Sequence, residues 1–588
     1  MSSTNIQNFP GDVQIRGTTF IKANTATDNL AIGTEAGLNQ QGADAVAMGR
    51  EAGQTAQGVD AVAIGRQAGE TSQGGAATAV GLVAGFNAQG ARATAVGFSA
   101  GKVSQGANAV AIGREAGLNA QGASSTAVGY GAGEVSQGAN CTAIGFNAGS
   151  ADQGANSVAV GHGAAQTSQG AYATAVGDSA GYNAQGDNGV AVGRAAGQVS
   201  QGANAVSIGY SAGCGDQGAQ SVAIGYFAAK VSQGTHATAV GREAGYNAQG
   251  NSATAVGFGA GEVSQGEYCT AVGFNAGSGD QGTNGIAIGS NAGYDSQGNY
   301  ATAVGQSAGY NAQGGDATAV GREAGKISQG AYTTAVGYRA GSADQGAYST
   351  AIGDMAAQVS QGNYATAIGS NAGYNSQGTM SVAVGHQAAQ NAQGASATAV
   401  GRLAGATGQG GSATAVGVKA GFNQQGANGV AVGNTAGCAD QGTAAVAIGY
   451  LAGSGSQGND AVAIGHRAGR NAQTNLAIAI GEGAGEFSQN NASTSLGHDS
   501  GSNAQGGNAT ALGNAAGRVA QGADATAVGR QAGGTKQGAD AVAVGREAGN
   551  NVQGSKAVAV GYRAGSADQG ANAVAVGWDA GLNAQGTN

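Results

Sequence analysis

Glycine returns at every sixteenth residue from Gly33 to Gly577, 35 times, without an insertion or deletion. A period this long and this strict favours one kind of architecture, identical units stacked so that each contacts its neighbours. In Ala237–Ser252 the unit reads ATAVGREAGYNAQGNS. Positions are counted here from the recurrent glycine, so that in this copy −1 is Val240 and +8 is Gln249.

The residues around that glycine specify a strand. Position −1 is aliphatic in every copy, from Ile32 to Val576, and −2 is Ala except at Ser207 and Ser495. Position −3 is Val, Ile, Leu or Thr, and −4 is nearly always small, as in Ala93 and Ser125. Alternating faces rich in β-branched residues and closed by Gly make a short β-strand. With 117 glycines and one proline in 588 residues, a helical reading fails, because each interior Gly costs a helix about 1 kcal/mol. Collagen fails because the glycines do not fall at every third position. The fold class expected is all-β: a parallel β-solenoid of 35 coils with 16 residues each.

Neither face of the strand carries charge, and strands of that kind are covered on both sides. The larger aliphatic row is expected to face the coil interior, leaving an Ala row outside. At ~4.8 Å per coil the stack would run roughly 170 Å. An Ala stripe of that length exceeds what a monomer exposes. A homo-oligomer, a trimer by preference, is therefore expected to form through the Ala-rich strand face.

The second half of the unit reads x-x-Ala-Gly-x-x-x-Gln-Gly. Position +3 is Ala except at Ser500, and +8 is Gln in all copies, from Gln41 to Gln585. Sixteen-residue spacing lays these amides one above another, where they can bond along the axis as a ladder. Charged and aromatic residues fall at +1, +2, +5 and −5, which are read as outward turns. A longer rhythm of 64 residues, or four coils, links Asn119, Asn183, Asn247 and Asn311, and also Asp152, Asp216, Asp280 and Asp344. Duplication of a four-coil block explains it most simply.

Two segments depart from the repeat. Residues 1–28 carry the one proline, Pro10, and a β-prone run from Val13 to Ile21. They are expected to cap the solenoid or attach it to a larger assembly, such as a virion, and residues 29–588 form the array. Over about 473–507, Thr474 and Asn490 replace the turn glycine, Leu496 replaces Val or Ile, and Asp499-Ser500 breaks the pattern. A weak spot or bend is expected there. The only tryptophan, Trp578, stands in the last coil, where no C-terminal cap follows.

Chemistry-bearing constellations do not emerge. The histidines, His162, His236, His386, His466 and His498, are scattered over turns, without the converging partners a metal needs. Gly101-Lys102 and Gly325-Lys326 lack the Ser or Thr and the strand-to-helix context of a phosphate loop. Glu115 and Glu243 each sit beside an Arg, as solvated pairs do. Cys141, Cys214, Cys269 and Cys438 are never sixteen apart, which argues against zinc or a disulfide framework. The sequons at Asn140, Asn491 and Asn508 lack a secretory context. No catalytic, cofactor-binding or metal-binding residue is assigned, no cofactor is expected, and the chain is expected not to be an enzyme. A net charge of −9 with no basic stripe argues against nucleic acid. No apolar run reaches a membrane span, and MSSTNIQNFPGD lacks the regions of a signal peptide.

The runs SVAVG at Ser157–Gly161 and AVAIG at Ala109–Gly113 resemble the head repeats of trimeric autotransporter adhesins. That resemblance covers about residues 29–588 and implies a left-handed parallel β-roll in a trimer. It departs in period, sixteen here against the fourteen usual there, and the signal peptide, coiled-coil stalk and membrane barrel of that family are not found. The stretch SSTNIQNFPGDVQIRG resembles virion structural or fibre proteins of large algal viruses. Together these imply a non-enzymatic viral fibre or appendage rod, made in the host cytoplasm and carried on the virion surface. It would act as spacer and host-attachment surface, with a host receptor as partner. The alternatives are a cell-surface adhesin and an ice-binding or ice-organising solenoid. The sixteen-residue period also resembles that of bacterial ice-nucleation proteins, whose outward Thr-x-Thr rows would here fall on the side assigned to the core.

Overall fold

The sixteen-residue unit folds into one coil with two short strands and sharp corners, and the computed structural model is built from such coils. It describes residues 13–15, 18–24 and 26–587, and among them there is no helix. Pro10 lies outside the described residues. The chain divides into two compact units, Met1–Asn291 and Ala292–Asn588. Every sixteenth residue from Gly33 to Gly289 gives the first unit 17 reference glycines, and Gly305 to Gly577 gives the second 18.

Within each unit the leading strands, positions −3 to −1, pair in parallel with a register of one coil. Thr94, Ala95 and Val96 face Val110, Ala111 and Ile112 in the first unit. In the second, Thr398, Ala399 and Val400 face Thr414, Ala415 and Val416. The other strand ends at the glutamine, as in Gln89 beside Gln105, and in places shrinks to a single bridge such as Gln425 to Gln441.

Corners come from left-handed backbone at fixed positions. In one coil Glu243 has φ 57°, Gly245 φ 55° and Ser252 φ 54°, while Gly241 has φ 132°. The inversion turns these N–H groups along the axis: Glu243 donates to the Tyr226 carbonyl and Ser252 to the Thr235 carbonyl, both at 2.9 Å. The reference glycine is obligatory for a second reason. A Cβ on Gly433 would sit 2.6 Å from the carbonyl oxygen of Gly449, the equivalent glycine one coil on.

The interior reverses the expected order of the strand faces. Ala253, Ala255 and Ala244, at −4, −2 and +3, are fully buried, and Gln249 at +8 is 4% exposed. The aliphatic residues at −1 and −3 point outward. The reason is space. A Cβ added at Gly245 would lie 3.3 Å from the Ala239 Cβ and 3.0 Å from the Gln249 Oε1. Opposite legs of so small a coil leave room for methyl groups and one amide, and Val or Ile does not fit. The Ala row, expected outside, therefore lies inside its own coil, and the larger aliphatic row, expected inside, faces out.

The glutamine ladder forms, and it does more than stack. Gln249 Nε2 donates to Gln265 Oε1 at 3.1 Å, and Gln249 Oε1 accepts from Gln233 Nε2 at 3.0 Å. The same amide crosses the interior to the carbonyls of Thr238 at 2.8 Å and Ala253 at 3.1 Å. It thus fills the space between the two legs and satisfies itself on both. Polar exceptions in the core are paired too. Ser207 and Ser495, in place of the −2 Ala, donate to Gln217 and Gln505 Oε1 at 2.6 Å. Ser125 at −4 donates to the Gly122 carbonyl at 2.5 Å.

Near the N-terminus, β1 (Val13–Ile15) pairs antiparallel with β2 (Thr18–Asn24). β2 in turn pairs antiparallel with β3 (Asn29–Ile32), the leading strand of the first coil. Through 473–507 the coils keep register: Gln473 pairs with Gln489 and Gln489 with Gln505. The substituted corners stretch slightly. Thr474 and Asn490 N–H groups reach the next Gln carbonyl at 3.0 and 3.1 Å, against 2.7 Å from Gly458.

Candidate contact surface

Because the interior takes only small groups and Gln, each leading strand presents its larger side chains outward. In the first unit the −1 row runs through residues such as Ile112, Val128 and Ile144, and the −3 row through Val110, Thr126 and Thr142. Ile112 and Ile144 are each 40% exposed, the remainder being covered by the same residue one coil above and below. No charged side chain stands at −1 or −3 in any copy. With coils ~4.8 Å apart and the two rows ~6.6 Å apart, a stack of 17 coils offers an uncharged face of roughly 500 Å². The −3 row is Thr in 8 of these 17 coils, so the face is uncharged and part apolar, part hydroxyl.

The next outward row, +1, borders this face. In the first unit Tyr130, Phe146 and His162 stack with ring centroids 5.0 and 5.2 Å apart. The Arg114 guanidinium lies 5.7 Å from the Phe98 centroid and 5.2 Å from Tyr130, between the two rings. Arg242 is held the same way, 5.6 Å from Tyr226 and 5.2 Å from Phe258. Such cation–π sandwiches fix the arginine planes. This continuity is invisible along the chain and legible only down the coils, by reading every sixteenth residue. In the second unit the comparable stack is at −5, where Tyr332, Tyr348 and Tyr364 lie 4.9 Å apart.

Titratable groups sit at the corners. Arg114–Glu115 and Arg242–Glu243 pair at 3.4 Å with exposed guanidinium groups, as expected of solvated pairs. His466 and His498, two coils apart, are brought together by Glu482. Its Oε1 is 3.2 Å from His466 Nδ1 and its Oε2 4.0 Å from His498 Nε2. The other three histidines join no such group, although His162 lies 3.5 Å from Asp178. Among the described residues no group of three or more His, Cys, Asp or Glu is placed to hold a metal ion. Burial raises the Glu70 carboxyl above the usual range, with Glu51 and Glu35 pushing it the same way. Burial opposes ionisation of Glu323, but Arg339 and Lys326 outweigh it and hold the carboxyl below the usual range. Burial raises the thiols of Cys214, Cys269 and Cys438, which makes them poor nucleophiles at neutral pH.

A groove of about 880 Å³ in the second unit runs beside Gln425, Gln441 and Gln457, lined by Gly, Asn, Thr and Ser with Asp440 the one charge. It lacks the apolar walls of a small-molecule site. No helix among the described residues is long and apolar enough to cross a membrane. No protein-family model matches the chain, and no curated protein matches it.

Proposed function

We propose that this chain is a non-enzymatic structural protein, a β-solenoid spacer within a fibre or appendage, with the outward strand face as its working surface. One observation carries the reading. Stacked coils are tied axially by backbone bonds at both strands and the corners, and by buried glutamine amides such as Gln73, Gln89 and Gln105. A stack tied this way resists bending and stretching along its axis, which is what a spacer requires. The N-terminal resemblance adds the virion surface as its place and host attachment as its use.

Pulling the protein by its two ends tests this. Each coil that peels away frees sixteen residues, a gain of about 48–53 Å in contour length after subtracting its stacked height. The extension should rise in steps of that size or its multiples. Smooth extension at low force would defeat the reading.

A second reading, an ice-binding solenoid, gains from the reversal of the strand faces. Thr238, Thr254 and Thr270 now line an outward row beside Val240, Val256 and Val272. Hydroxyl and methyl groups therefore repeat side by side at the coil spacing over these three coils. Thermal hysteresis or ice shaping by the purified protein would favour it over the spacer.

A further inference from the structure

We propose that Tyr332, Tyr348 and Tyr364, at −5 in three successive coils of the second unit, form an oxidative cross-linking site. There a peroxidase using hydrogen peroxide joins neighbouring phenols through carbon. The proposal goes beyond the spacer reading and does not depend on it.

The three residues are sixteen apart in sequence, and the coils turn that separation into ring stacking. All three sit at the same left-handed corner, with φ of 57, 59 and 58°. Their backbones are pinned along the axis. Tyr348 N–H donates to the Ala331 carbonyl at 3.0 Å, and Tyr364 N–H to the Ala347 carbonyl at 2.9 Å. The ring centroids lie 4.9 Å apart and the planes differ by 6° and 3°. Near-parallel rings in equivalent positions place each Cε over the same carbon of the next ring, about as far away as the centroids. An oxidant can reach them, since the residues are 54%, 50% and 56% exposed.

That placement suits phenol coupling. In a phenoxyl radical much of the unpaired spin lies on the carbons ortho to oxygen, the Cε atoms. The peroxidase takes one electron and one proton from each of two phenols, and hydrogen peroxide receives them and leaves as two waters. The radicals join Cε to Cε. Each joined carbon then loses its hydrogen as a proton while each oxygen regains one, so the pair keeps both hydroxyls and has lost two hydrogens. Holding the rings together makes the coupling unimolecular, without waiting for collision.

Other tyrosines provide the contrast. Tyr300 stands in the same row and is 61% exposed, but its row neighbours are Asn284 and Asp316. Tyr338 is only six residues from Tyr332, yet its ring is engaged at another corner, 4.5 Å from the Arg322 guanidinium and 5.0 Å from that of Arg339. The fold thus pairs Tyr332 with the tyrosine sixteen residues away and not with the one six away. A bond at 332–348 or 348–364 would staple adjacent coils covalently from outside, where Gln345 and Gln361 already join two of them by a hydrogen bond inside.

The test treats the full-length protein at nanomolar concentration with a peroxidase and hydrogen peroxide, and reads tryptic peptides by mass spectrometry. Peptides 327–339 and 340–402 should appear joined, less two hydrogens, through Tyr332 and Tyr348. Peptide 340–402 should also appear two hydrogens lighter, through Tyr348 and Tyr364. The yield per chain should not change on tenfold dilution. Tyr348→Phe keeps a ring in the stack but leaves Tyr332 and Tyr364 roughly 10 Å apart, and should cut both products at least tenfold. Tyr300→Phe should leave them unchanged. Three results would each overturn the proposal: Tyr332–Tyr338 coupling within 327–339 at equal or greater yield, products that fall in proportion to dilution, or products that survive Tyr348→Phe.

Discussion

Replacing one buried amide by a carboxyl probes the ladder directly. Gln249 Nε2 lies 2.8 Å from the Thr238 carbonyl, 3.1 Å from that of Ala253 and 3.1 Å from Gln265 Oε1. Gln249→Glu keeps the shape and puts an oxygen where those three oxygens expect a donor. Below about pH 4 the neutral carboxyl still donates once, and the cost is about 1–3 kcal/mol for the donor that is lost. Ionisation in this site is opposed by burial and by the facing oxygens, so the folded pKa rises above the unfolded value of about 4.3. Stability is then retained below that value and lost as pH rises toward the folded pKa, at about 1.36 kcal/mol per unit. If the carboxyl stays neutral to pH 7, the further loss is about 3.7 kcal/mol, or roughly 500-fold in local opening. A stack of coils opens locally, so a global melting curve is the wrong probe. Hydrogen exchange in the peptides spanning 237–256, corrected for intrinsic rate, reads the effect. Protection should fall steeply from pH 4 to 7 in the variant and stay level in the wild type. A variant whose protection is independent of pH would refute a dry, donor-demanding ladder.

Other substitutions separate the roles of single positions. Gly433→Ala should disrupt its coil by more than about 3 kcal/mol, since the Cβ meets the Gly449 carbonyl at φ +132°, whereas Gly437→Ala should cost about 1 kcal/mol. Four copies already carry Ala at the latter position, Ala165, Ala229, Ala357 and Ala389, with φ of 45–47°; local exchange checks both. Ala255→Val overfills the interior and should cost about 1–3 kcal/mol, while Thr254→Val on the outward face should stay within about 0.5 kcal/mol. Glu70→Gln should protect its coil increasingly as pH rises through the raised carboxyl pKa, because there the native glutamate must ionise beside Glu51 and Glu35. Equal exchange in the two proteins at pH 4 and pH 8 would contradict it.

The period, a leading strand ending just before the glycine and the glutamine ladder were legible because each is a one-dimensional pattern read at a spacing of sixteen. The facing of the strand was not. Hydrophobicity alone places Val240 and Val256 inside and Ala239 and Ala255 outside, the usual ordering of burial. The outcome is set by the width of the coil, which depends on how close Gly245 brings one leg to the Ala239 methyl on the other, 3.3 Å from a notional Cβ. Three small residues and a Gln per coil were a statement about volume as much as polarity. The crossing bonds of Gln249 to Thr238 and Ala253 were hidden for the same reason, since they need the legs to be that near. The meeting of His466 and His498 at Glu482 was missed because neighbours were sought one coil away, and the carboxylate bridges two.

Thiol labelling at adjacent positions of one strand bears most directly on which row faces inward. Ala255→Cys and Val256→Cys, each treated with a maleimide at nanomolar protein and read by peptide mass spectrometry, differ only in the side of the strand. Val256→Cys should label at near the rate of a free thiol, and Ala255→Cys should resist until the coil opens, as Cys141 and Cys269, both buried, should. Rapid labelling at 255 with protection at 256 would put the aliphatic row in the core and overturn the fold's interior and the outward row of threonines together.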